Sequence, residues 1–178
     1  MVHDPEDLGA LLGDYRELVA DAVRSRGGYV AQYLGDGIMA YFGYPTAAED
    51  APHQAVAAGM DILEAVGDLR VNDSASSAVS VRVGIHTGLV VTGGTGPTSG
   101  ERLVLGATPN IAAHIQAACE RNSVLIGEST ADLVRNAFEL KAMAVQQFKG
   151  SEKRMTLFAP VRQRWQIDRF AVRASAGL

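Results

Sequence analysis

Apolar side chains recur with the period of an α-helix at the start of the chain. Leu8, Leu11, Leu12, Tyr15, Leu18, Val19, Ala22 and Val23 fall on one face of "HDPEDLGALLGDYRELVADAVRSRGG". The helix grammar agrees: Asp4 can cap, Pro5 suits the first helical position, and Gly27-Gly28 can end the helix. The pattern then shortens to strand-like runs. "YVAQYL" and "IMAYFG" flank Gly-Asp-Gly and predict a hairpin closed by a type I′ Asp-Gly turn. Pro45 and "TAAED" lead into a second helix in "APHQAVAAGMDILEAVGDLR", and "VNDSASS" reads as a surface loop. "AVSVRVGIHTGLVV" predicts one buried strand running through Gly84 and Gly88, followed by a loop in "TGGTGPTSGE" and a strand in "RLVLG". A third helix in "TPNIAAHIQAACERN" tolerates Pro109 in its first turn. "SVLIG" then predicts a strand, "ESTADLVRNAF" a short helix, and "FELKAMAVQQFKGSEKRMTLFAPV" a closing antiparallel pair.

Helix–hairpin–helix–strand is the order of an α+β, ferredoxin-like βαββαβ fold lacking its first strand. In such a sheet the first strand lies in the interior, so its absence leaves neighbouring ladder groups unpaired or open to another chain. The sequence reads as cut at its beginning. One domain is expected over residues 1–161, with 162–178 a linker or tail rich in arginine.

Composition narrows the functional classes. With 178 residues, 47% of them hydrophobic, and a net charge of −4, the chain can bury a core and is not expected to be disordered. No basic stripe marks a nucleic-acid partner, and no apolar run reaches the length of a membrane span. A single cysteine, Cys119, excludes an internal disulfide and a multi-cysteine metal site; its helical spacing from Ile111 and Ile115 predicts a core position. These features predict a soluble protein of a reducing compartment, the cytoplasm.

Candidate chemistry is sparse. "GLVVTGGT" imitates a phosphate-binding loop but has Gly94 where the lysine is required. His86 lies inside an apolar run and reads as packing, and His3 and His53 have no partner at ligand spacing. Asp36 is explained by turn chemistry alone, although a hairpin tip also puts a carboxylate where a phosphate-bound cation can reach it.

At "GGYVAQYLGDGIMAYFGYPTAAEDAPHQAVAAG", "VRVGIHTG", "LVLGATPNIAAHIQ" and "FKGSEKRMTLFAPV" the chain resembles the class III adenylate/guanylate cyclase catalytic domain, over roughly residues 4–161. It is most similar to the bacterial subgroup in which this domain precedes a large ATPase region, and "DRFAVRASAGL" resembles the linker into that region. The resemblance implies a ferredoxin-like sheet with helices on one face and active sites at a homodimer interface. It implies attack of the ribose 3′-hydroxyl on the α-phosphate of ATP or, less readily, GTP. The products are cyclic nucleotide and pyrophosphate, with two Mg²⁺ or Mn²⁺ ions assisting.

Site residues follow from the same resemblance. Asp36 aligns with the family's second metal-binding aspartate, while the other belongs to the first strand, which this sequence does not contain. Gln32 stands where many members carry a purine-reading lysine, and Leu103 where its partner aspartate lies. Ordinary strand packing accounts equally well for Leu103. Asn110 matches the residue that orients the ribose, with helix capping as its rival explanation, and His114 stands where an arginine stabilises the charged transition state. Lys149 aligns with a lysine that reaches the terminal phosphates; a solvated hairpin lysine is the bland alternative, and Lys153 and Arg154 are near enough to share its role. These departures imply weak or absent turnover. They leave open a degenerate cyclase-like module that binds nucleotide, or only dimerises, to regulate an attached ATPase. A diguanylate cyclase would want a Gly-Gly-(Asp/Glu)-Glu-Phe hairpin, which "LGDGIMAYF" does not supply.

Overall fold

The computed structural model describes residues 5–72, 79–95, 102–147 and 154–164. Asp4 and the tail from residue 165 onward lie outside the described residues. The chain runs α1 (Pro5–Ser25), β1 (Tyr29–Leu34), β2 (Gly37–Tyr41), α2 (Ala51–Asn72), β3 (Arg82–Ile85), β4 (Val91–Thr95) and β5 (Arg102–Leu105). It continues through α3 (Ala107–Ala118), β6 (Ser123–Ile126), α4 (Glu128–Val134), β7 (Phe138–Gln147) and β8 (Arg154–Gln163).

The amphipathic reading of α1 holds, with Val19 and Val23 buried against Ile62 and Val66 of α2. Gly27 ends α1 at φ 74°, its N–H donating to the Arg24 carbonyl and that of Gly28 to the Val23 carbonyl. This is the paired closure of a Schellman motif, in which a left-handed glycine releases the chain from the helix. Arg26 then ties α1 to α2 through a two-pronged ion pair with Asp61, at 2.7 and 3.1 Å.

The strands form three sheets. The central one has the order β3–β6–β8–β7, with β3 and β6 parallel and the other pairs antiparallel. The β1–β2 hairpin and the β4–β5 pair are separate two-stranded sheets. This is an α+β fold in which, among the described residues, β2 and β3 are each paired on one side only. Both still feed one core, since Ile38 and Ala40 of β2 and Val83 of β3 pack around the same α1–α2 cluster.

Three expectations need correction. The first four residues of "TGGTGPTSGE", expected as loop, belong to strand β4. "AVSVRVGIHTGLVV" is not one strand; it divides into β3 and the first residue of β4, separated by residues 86–90. The break falls at His86-Thr87-Gly88, a short non-apolar interruption between two apolar stretches. Nor do the helices share one face. Val83, Ile85, Val124 and Ile126 face α2 and α4, whereas Leu125 and Leu157 face Ile115 of α3 and Cys119 at its C-terminal end. Gly84 makes the second layer possible: a Cβ there would lie 2.2 Å from the Gln116 nitrogen and 2.5 Å from the Ala112 carbonyl oxygen. Only a residue without a side chain lets the α3 backbone rest on β3.

Candidate active site

The β1–β2 hairpin carries the first half of the candidate site. Leu34 pairs with Gly37, so Gly35 and Asp36 are the two loop residues. Gly35 has φ 62°, and Asp36 is not among the residues of positive φ. That sign pattern belongs to a type II′ turn, not the type I′ turn expected. The turn pair is Gly-Asp rather than Asp-Gly, and Asp36 adopts an ordinary backbone conformation at the tip.

The tip is held from α1. The Arg16 Nη2 donates to the Gly35 carbonyl, and the guanidinium lies 5.6 Å from the centroid of the Tyr33 ring. Burial pushes the Tyr15 phenol above its usual range, and the nearby Asp36 charge adds to the shift. Asp36 is exposed and takes part in no ion pair among the described residues. Helical spacing puts Tyr15 on the core face, whereas Arg16 belongs to no motif. The only local signal was the position of Arg16 next to an apolar face, and nothing in the pattern told which carbonyl it would reach.

Gln32 pairs with Met39, next to the Tyr33–Ile38 pair that turns toward α1. Strand alternation therefore puts Gln32 on the opposite side of the hairpin, where it is exposed.

The second half stands on α3. Asn110 and His114 are one helical turn apart and both exposed, while Ile111 and Ile115 turn into the core. The N-cap of α3 is Gly106, so Asn110 lies inside the helix and capping does not explain it. Thr108 anchors this helix start by donating to the Leu89 carbonyl at 2.8 Å. Asp36 is thus mounted against α1, and Asn110 and His114 on a helix covering the other face of the sheet. The side chain of Leu103 and the whole of Lys149 and Lys153 lie outside the described residues. Arg154 opens β8 and is exposed.

His86 sits where β3 ends and α4 begins. Its ring faces the Ser129 hydroxyl at 3.4 Å, and a Cβ on Gly127 would approach its Nδ1 to 2.6 Å. Ser129 donates to the Thr87 carbonyl at 2.6 Å, and the Thr87 and Thr130 hydroxyls are 2.9 Å apart. Burial holds the His86 imidazole below the usual histidine range. Cys119 is buried and its thiol contacts the Val83 carbonyl at 3.2 Å; burial raises its pKa, which is the environment of an inert structural thiol.

Among the described residues, no three His, Cys, Asp or Glu side chains converge as a metal cluster. Asp36 fits as one carboxylate on a cation carried by a polyphosphate, and the described residues alone do not build a two-ion site. No described helix is long and apolar enough to cross a membrane.

The comparisons agree with this architecture. The chain belongs to the adenylate and guanylate cyclase catalytic domain family, which it matches over residues 1–159. That is a family of nucleotide cyclases, phosphorus–oxygen lyases. The chain is 30% identical over 138 residues to the adenylate cyclase of Anabaena cylindrica, covering 75% of this chain and 27% of that protein. It is 28% identical over 157 residues to retinal guanylyl cyclase 2 of Rattus norvegicus, covering 84% of this chain and 14% of that protein. It therefore spans a small part of the length of these curated relatives. The guanylate cyclase domain of RhGC from Catenaria anguillulae, solved in complex with GTP, has the same fold. The TM-score is 0.82 at 20% identity, over 91% of this chain and 87% of that one.

Proposed function

We propose that this chain is a cytoplasmic purine nucleotide cyclase domain that works as a homodimer, turning ATP, and less readily GTP, into the cyclic nucleotide and pyrophosphate. The ribose 3′-oxygen bonds to the α-phosphorus and loses its proton, while the bond from that phosphorus to pyrophosphate breaks. Divalent cations, Mg²⁺ or Mn²⁺, would supply charge neutralisation at the phosphates and acidify the hydroxyl. On this chain Asp36 would hold the nucleotide-bound cation. Asn110 would orient the ribose, and Lys149 would hold the terminal phosphates. Gln32 offers a donor and an acceptor to the base, while Leu103 offers only apolar contact, so base choice is weak. His114 lacks the fixed cationic fork of an arginine, which predicts slow chemistry.

The observation that carries this reading is Asp36, an exposed carboxylate in no described ion pair, at a clamped hairpin tip of a chain of the cyclase family. Mounting Asp36 against α1, and Asn110 with His114 across the sheet, favours a site completed between two copies. Exposed apolar side chains add to this, since Leu89 is 94% and Val91 66% exposed. The test is Mn²⁺-dependent turnover of ATP and GTP by the pure protein. Slow cyclic AMP formation, lost in Asp36→Asn, is expected. Binding of nucleotide without turnover would instead assign a regulatory module, and loss of both would leave a scaffold.

A further inference from the structure

Arg16 touches the hairpin tip that presents Asp36. It reaches from α1 to the hairpin tip across a sequence separation of 19 residues. There it makes two contacts of different kinds, a hydrogen bond to the Gly35 carbonyl and a cation–π contact with the Tyr33 ring. Its Nε is enclosed without a hydrogen-bond partner. An arginine in water would satisfy that N–H, so these two contacts must offset its loss. The choice of acceptor matters most. Arg16 donates to the carbonyl beside Asp36 and forms no described ion pair with the carboxylate itself. It therefore restrains the tip without forming a described ion pair with Asp36.

We infer that Arg16 is a positioning residue, clamping the Gly35–Asp36 turn so that the Asp36 carboxylate is held ready for a cation brought by a nucleoside triphosphate. This rests on the nucleotide reading above. A two-residue turn on a hairpin that is a sheet of its own has no neighbouring strand among the described residues to stiffen it. The stiffness has to come from α1. Arg16 supplies it at the tip, and the Tyr15 phenol, one residue earlier, lies within the influence of the same carboxylate's charge. A ligand held by a rigid frame loses less freedom on binding than one on a mobile loop, which is the physical gain of such a clamp.

The experiment uses the whole chain with Mn²⁺ and ATP. Free Mn²⁺ is followed by electron paramagnetic resonance during titration of wild type, Arg16→Ala, Arg16→Lys, Asp36→Asn and the Arg16→Ala/Asp36→Asn double variant. Arg16→Ala should weaken Mn²⁺·ATP binding about tenfold, the size typical of removing an outer support of a metal ligand. Arg16→Lys should recover part of it, since lysine keeps the charge but not the planar fork. In the Asp36→Asn background Arg16→Ala should cost no further affinity, because its effect passes through that carboxylate. Amide exchange at residues 35–37 should rise in Arg16→Ala with the melting temperature nearly unchanged. Equal losses with and without Asp36, or wild-type affinity in Arg16→Ala, would overturn the positioning role while leaving the nucleotide reading intact. A wild-type protein that binds no Mn²⁺·ATP would overturn that reading and the positioning role together.

Discussion

His86 shows how a single residue can be marked by sequence yet explained only by its surroundings. Its neutral imidazole is held below the usual value of 6.5 by burial between the end of β3 and the start of α4. The unfolded chain therefore takes up the proton first as pH falls. Stability should be full above about pH 6.5 and decline as pH drops from there through the lower folded value. Urea midpoints measured from pH 8 to pH 5 should fall for the wild type more steeply than for His86→Gln; parallel curves would refute this assignment. The site residues divide in the same way. Asp36, Gln32, Asn110 and His114 could be named from the sequence because motifs mark them. Arg16 could not, because its meaning depends on a carbonyl far along the chain. The turn type was missed for a related reason: "GDG" contains both a Gly-Asp and an Asp-Gly pair, and only the strand register selects one.

At the scale of elements, α3 rests with its backbone directly on β3 at Gly84. The backbone of Gln116 and Ala112 occupies the space a side chain at position 84 would need. Gly84→Ala should destabilise the protein by roughly 3 kcal/mol, the upper range for overpacking, since backbone cannot yield as a flexible side chain does. Chemical denaturation would measure it, and a loss below about 0.5 kcal/mol, the scale of an ordinary surface change, would show that α3 can shift aside. Because α3 also carries Asn110 and His114, the same substitution should disturb them. Helix α1, the hairpin and α2 were legible from periodicity and terminal signals. The layer to which α3 belongs was not, because a glycine in a strand says only that something comes close.

At the scale of the whole molecule, the distribution of apolar surface favours assembly. Leu89 is almost fully exposed in the segment just before β4, beside the start of α3 that Thr108 ties to it. In the proposed homodimer Leu89 is an apolar anchor, so Leu89→Glu should raise the dissociation constant about tenfold or more. Sedimentation velocity across a concentration series would show it as a shift toward monomer. An unchanged dimer would move the interface elsewhere.

By itself the sequence determined the order of helices and strands, the mixed α+β class, the family resemblance and the motif residues. Each of these is written in local spacing: apolar period, turn residues, and short motifs in sequence order. Tertiary structure alone decided that the hairpin stands as its own sheet, that helices cover both faces of the central one, and that α1 grips the tip carrying Asp36. Those are contacts between distant parts of the chain. They depend on which faces meet when several amphipathic elements bury their apolar sides together, and no single stretch of sequence carries that information.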